Sequence, residues 1–172
     1  MRTDYRTQLK PPTAQTAAGL PRLLLHACCG PCSSGALEHL SGHFDVSAFF
    51  YNPNIRPREE YKKRLLSMRR LTESLPYKVS LIEDNRGGRE FDRVTAGLEA
   101  EKEGGKRCEA CFLLRLEKTA RFAKERGFEY FCTAMTVSPR KNAETINATG
   151  SKLSEKYGLY RQDYCGCLYS RR

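Results

Sequence analysis

The strongest constraint on the fold of this chain is an alternation of strand-length apolar runs with stretches of helical periodicity. Residues 22–27 (RLLLHA), 45–50 (DVSAFF), 77–82 (YKVSLI) and 129–134 (EYFCTA) are short and rich in apolar, β-branched or aromatic residues. Over residues 58–75, Tyr61, Leu65, Met68 and Leu75 share one helical face, while Arg58, Lys62, Lys63, Arg69 and Arg70 fall largely elsewhere. Residues 89–103, 111–126 and 140–156 read as further helices, the one over 111–126 stopping at Gly127 in the position of a C-terminal cap. Strands separated by helices predict a single α/β domain over residues 22–172, with a mainly parallel sheet and right-handed crossovers. Residues 1–21 (MRTDYRTQLKPPTAQTAAGLP) show neither period and read as a flexible N-terminal arm.

In such a sheet, ligands collect outside the carboxyl ends of the strands, at a topological switch point. The segments that follow the four strands are CCGPCSS (28–34), YNPNIRP (51–57), EDNRGG (83–88) and MTVSPRKN (135–142). All four are therefore expected at one edge of the sheet.

The chain has 30 Lys and Arg against 20 Asp and Glu, a formal net charge of +10, which makes a polyanion such as nucleic acid a reasonable partner. No window of about 18 apolar residues is present to span a membrane. The first residues lack the apolar core of a secretory signal. A reducing, cytoplasmic setting is expected, and there the eight cysteines read as ligands or redox groups rather than as a disulfide framework.

The cysteines sort by setting. Cys28 and Cys29 are adjacent, Cys32 follows within the same turn, and Cys108 and Cys111 form RCEAC at the start of a helix. Thiolates from two loops suit zinc or an iron-sulfur cluster, and spacing alone leaves both open; an adjacent Cys-Cys pair is unusual for structural zinc and favours the cluster. Cys132, inside EYFCTA, reads as a core residue. Cys165 and Cys167, separated by one glycine in DYCGCLYS, are either extra ligands or a dithiol that passes electrons to the site.

Five segments, HACCGPC, YNPNIRPREEYKKR, RCEACFLLRL, TAMTVSPRKNAETIN and YRQDYCGCLYS, resemble in sequence and order the cobalamin-independent epoxyqueuosine reductases of tRNA queuosine synthesis. The resemblance covers essentially everything after residue 21. It implies a Rossmann-like fold related to the adenine-nucleotide hydrolases and a [4Fe-4S] cluster held by Cys28, Cys29, Cys108 and Cys111, with Cys32 the rival for one place. It also implies a redox-active pair, Cys165 and Cys167, in a C-terminal tail over 163–172. An additional iron ion is a further implication, with Asp163 and Cys32 as its ligands.

The implied substrate is tRNA carrying epoxyqueuosine, with a separate electron donor of unspecified identity. Loss of the epoxide oxygen as water takes two electrons and two protons, for which Asp163, Tyr164 and His26 are candidate donors; His26 ends an apolar strand, a setting that more often holds a hydrogen-bonded core histidine than an acid. The wobble base lies in a single-stranded loop, where proteins stack bases on aromatic rings and track phosphates with cations. Arg56, Arg58, Lys62 and Lys63, together with Arg140 and Lys141, are best placed for phosphates, and Tyr51 for stacking. Arg69 and Arg70 read as a solvated helix face.

Three other classes compete. A PP-loop ATP-dependent tRNA-modifying enzyme would share the fold but should show SGGxDS where this chain has CCGPCSS. A zinc-binding nucleic-acid module would account for charge and cysteines without a reaction. A thioredoxin-like oxidoreductase would account for CGPC but not for the cysteine before it.

Overall fold

The computed structural model describes residues 19–84 and 88–159. In chain order the elements are β1 (Arg22–His26), α1 (Gly30–Leu40), β2 (Asp45–Phe50), α2 (Arg58–Ser74), β3 (Ser80–Glu83), α3 (Gly88–Thr95), α4 (Lys106–Glu125), β4 (Tyr130–Thr133) and α5 (Ala143–Tyr157). A 3-10 turn, Ala134–Val137, follows β4.

The strands form one four-stranded parallel sheet in the order β3-β2-β1-β4. His26 aligns with Phe49 on one side and Thr133 on the other, so β1 and its neighbours end level with one another. The chain steps from β1 to β2 and β3 on one side, then crosses to β4 on the other. The switch point therefore lies beside the carboxyl end of β1, where the cysteine turn begins.

Period-two alternation divides the core into two layers. Leu23, Leu25, Val46, Ala48 and Phe50 pack with Leu37 of α1 and Leu65 and Met68 of α2. Leu24, Phe49 and Tyr51 face the other way, against Phe112, Leu116 and Ala120 of α4 and Ile146 and Leu153 of α5. The α/β class and the parallel sheet agree with the sequence expectation.

Several boundaries differ, among them three that bear on the site and one that starts α5 at Ala143 rather than 140. The helix expected over 89–103 ends at Thr95, because the chain turns through Gly97 (φ 78°) and Gly104 (φ 90°), conformations that favour glycine. The next helix starts at Lys106 rather than at 111, which takes both cysteines of RCEAC onto α4. The strand expected from residue 77 pairs only from Ser80, opposite Ser47. At the far end of α5, Gly158 adopts the left-handed conformation (φ 60°, ψ 42°), and its N–H and that of Leu159 bond back to Glu155 and Ser154. Leu159 is buried in the α4–α5 core layer, and the nearest atom to a Cβ built on Gly158 is Lys124 Nζ, at the carboxyl end of α4.

Candidate functional site

The turn after β1 is built to present sulfur. Ala27 still continues the sheet, its N–H donating to the Phe49 carbonyl at 2.9 Å. Cys29 then caps α1 with an extended backbone, and Pro31 lies in the first turn of the helix, where its missing N–H costs nothing. Ser33 Oγ donates to the Cys29 carbonyl at 2.8 Å and fixes the turn from inside. The sulfurs of Cys28, Cys29 and Cys32 all lie within 4.8 Å of one another, and Cys28 Sγ and Cys29 Sγ are 4.0 Å apart.

Cys29 and Cys32 are electrostatically unequal. Burial raises the Cys29 thiol, but hydrogen bonds from the Cys32 backbone and thiol and from Cys28, together with the Arg64 charge, outweigh it and hold Cys29 below the ordinary thiol range. Burial, with the sulfurs of Cys29 and Cys28, pushes Cys32 up to about 12. Cys29 is thus the first of these two to become a thiolate, the form that binds metal. A close set of three soft donors fits iron or zinc and does not fit a hard cation.

Cys108 and Cys111 lie outside this group of three. They occupy the first two turns of α4, with Cys108 Sγ accepting the Gly104 N–H at 3.2 Å and Cys111 buried. The spacing of Cys108, Cys111 and Arg115 places all three on one stripe of the helix. Arg115 Nη2 donates to Asn52 Oδ1 at 2.6 Å, and Asn52 Nδ2 donates to the Ala27 carbonyl at 2.9 Å. Two hydrogen bonds thereby link the cysteine face of α4 to the residue before Cys28.

His26 is fully buried, with Nδ1 3.0 Å from Thr133 Oγ1 and Nε2 3.1 Å from the Tyr51 carbonyl oxygen. Burial, then the nearby Arg115 charge, holds its pKa well below the ordinary value, so it is a neutral core histidine tying β1 to its neighbours. Cys132 is half-buried against the α1–α2 core layer.

The basic residues line a cavity of about 780 Å³ that starts at Asn52 and is bounded by Arg56, Arg58, Lys62, Arg69 and Glu83. Arg56 is paired with Asp92 at 2.7 Å and Arg69 with Glu83 at 3.1 Å. Arg69 is exposed, as expected of a solvated face, and also borders the cavity. Lys62, Lys63 and Arg140 are exposed, and Lys141 is half-buried.

Tyr51 corrects the expectation of a stacking platform. Its side chain continues the β2 alternation, 0% exposed, against the α4 layer, with its hydroxyl donating to Glu90 at 2.6 Å. No ring face is open to a base. Asp163, Tyr164, Cys165 and Cys167 lie outside the described residues, as does the stretch 85–87 of EDNRGG. No helix among the described residues is long and apolar enough to cross a membrane.

Sequence reasoning missed Asn52 and Arg115. The available signal was an arginine one turn beyond Cys111 in the apolar stripe of RCEACFLLRL, where a cation has no reason to be unless something holds it.

The family model described as Epoxyqueuosine reductase QueH matches residues 23–158 and 148–172. Curated proteins named Epoxyqueuosine reductase QueH are similar over most of their length. The Streptococcus pyogenes protein is 37% identical over 88% of this chain and 71% of its own. The Staphylococcus epidermidis protein is 35% identical over 87% and 76%, and the Thermotoga maritima protein 33% over 86% and 89%. The matched span contains the sulfur-presenting turn, the cysteine face of α4 and the basic cavity wall, and by that match the chain belongs to the epoxyqueuosine reductase QueH family.

Proposed function

We propose that this protein reduces epoxyqueuosine to queuosine at the wobble position of tRNA, using a [4Fe-4S] cluster held by Cys28, Cys29, Cys108 and Cys111. The observation that carries the reading is the close set of three thiols at the carboxyl end of β1, in a chain of the QueH family. When bound, the cluster supplies electrons for reductive loss of the epoxide oxygen.

The chain's own residues do the rest. The dithiol of Cys165 and Cys167 gives up two electrons and two protons and becomes a disulfide, while epoxyqueuosine becomes queuosine and water; an external dithiol or protein reductant then restores the pair. His26 supplies no proton, because burial keeps it neutral between two fixed partners. Proton delivery falls to Asp163 or Tyr164. Cys32 is the spare thiol of the close set and, with Asp163, would hold an additional iron ion. Lys62, Lys63, Arg140 and Lys141 bind tRNA phosphates, and the cavity walled by Arg56 and Arg58 receives the splayed loop.

Anaerobic purification followed by iron, zinc and acid-labile sulfide analysis tests the reading, alongside conversion of epoxyqueuosine to queuosine in tRNA. Iron and sulfide in near-equal amounts, lost on Cys28→Ala or Cys108→Ala and retained on Cys132→Ala, are expected. Zinc without sulfide, and no conversion, would replace the reductase with a zinc-binding nucleic-acid module.

A further inference from the structure

Arg115 is a cation in the wrong place for an ordinary structural role. It is 2% exposed, yet among the described residues it forms no ion pair with any carboxylate. Its side-chain bond goes to the neutral Asn52 amide, and its Nε is buried without an acceptor. Burying a charge without a counter-charge is costly, and such groups persist where an anion completes the site.

The surroundings say which anion. Arg115 stands one turn beyond Cys111 on the cysteine stripe of α4, and through Asn52 it is linked to the carbonyl of Ala27, the residue before Cys28. Arg64 supplies positive charge near Cys28 and Cys29 from the α2 side, but it is already paired with Glu60 at 2.7 Å. Among the described residues, Arg115 is thus a buried cation without a carboxylate partner, on the cysteine stripe of α4 and joined through Asn52 to the turn that begins at Ala27.

We propose that Arg115 is a positioning residue that serves as the buried counter-charge of the thiolate-bound iron-sulfur centre and raises its reduction potential. The inference rests on the reading that such a centre is bound by these cysteines. A thiolate-ligated cluster is anionic and gains one further negative charge on reduction, so a fixed cation in a low-dielectric setting stabilises the reduced form more than the oxidised form. The Asn52 bridge keeps the guanidinium in register with the turn that carries Cys28 and Cys29, in the manner of the outer partners that tune metal sites.

The test is a spectroelectrochemical titration of the anaerobically purified holoenzyme and its variants. At a potential poised on the wild-type midpoint, Arg115→Gln, which removes the charge and keeps a donor for Asn52, should shift the oxidised-to-reduced ratio about tenfold toward oxidised, about 59 mV for a one-electron couple. Arg115→Lys, which keeps the charge, should stay within about twofold of wild type. An unmoved ratio in Arg115→Gln overturns the proposal, as does an equal shift in Arg115→Lys. If circular dichroism shows Arg115→Gln unfolded, Asn52→Asp decides: a carboxylate opposite the guanidinium should give the same direction of shift, and an unchanged ratio overturns the proposal. Wild-type protein without iron and sulfide would instead sink the underlying reading, an outcome separate from any of these.

Discussion

Gly30 rests directly on Ser67. A Cβ built on Gly30 would come within 2.7 Å of the Ser67 carbonyl oxygen, closer than side chains approach backbone, and would also meet the Ser67 hydroxyl. The first turn of α1, and with it the cysteine turn, is therefore seated on α2 through a glycine whose role is closeness rather than backbone freedom. Gly30→Ala should destabilise the protein by ~1–3 kcal/mol, as overpacking does. Thermal denaturation of the apo protein checks this, and the same variant should bind less iron; an unchanged melting temperature would show that the two helices are free to move apart.

The buried His26 sets an acid limit on stability. Its folded pKa lies well below its unfolded value, so as pH falls through about 6.5 the unfolded chain takes up a proton that the folded chain refuses. Stability is full above that pH and is lost below it, with a slope approaching ~1.4 kcal/mol per pH unit from this group. Urea unfolding of the apo protein between pH 5 and 7, at roughly half-unit steps across that unfolded value, measures the slope. His26→Gln should flatten it, and an equal slope in the variant would assign the acid sensitivity to other groups.

Exposed cations should govern RNA affinity without touching the cysteines. Binding of the tRNA substrate is expected to fall steeply with added salt, and Lys62→Glu with Lys63→Glu should weaken it by about tenfold or more while leaving iron and sulfide content unchanged. Salt-independent binding would count against a phosphate-tracking surface.

The C-terminal dithiol should matter for repeated turnover only. Cys165→Ser with Cys167→Ser is expected to keep cluster content and RNA affinity and to lose multiple turnover with a dithiol reductant, while conversion survives when an excess of a small one-electron reductant re-reduces the cluster directly, twice per epoxide. Loss of iron in this variant would make the pair ligands, and unchanged turnover would make it idle.

The parts of this fold legible in the sequence are those set by period. Leu23–Leu25 and Val46–Phe50 alternate or run continuously apolar because both faces of their strands are covered, and the strand positions follow directly. The same period misled at Tyr51: its place at the end of β2 was evident, but parity with Phe49 turns it into the α4 layer instead of toward a ligand. The overlong helix over 89–103 arose because a stretch with four Glu among Arg, Ala and Leu satisfies helical propensity, whereas Gly97 and Gly104 adopt positive φ only in the assembled chain. The close thiols of the first turn could be read from adjacency. Arg115 left one local trace, a cation in the apolar stripe after Cys111, but its partner Asn52 could not be read, since a hydrogen bond across 63 residues is a tertiary event.

The placement of Leu159 turns the tail into a question of tether length. A Cβ built on Gly158, the residue before Leu159, comes 3.7 Å from Nζ of Lys124, which belongs to the opposite end of α4 from Cys108. Those sixteen helical residues span about 24 Å. The six residues from Leu159 to Cys165 reach at most about 20–22 Å when fully drawn out, and the eight to Cys167 about 26–29 Å. On these lengths only Cys167 reaches the level of Cys108, with a few ångströms to spare, so deletion of two residues before Cys165 should abolish multiple turnover while both thiols remain present, whereas inserting two glycines there should be tolerated.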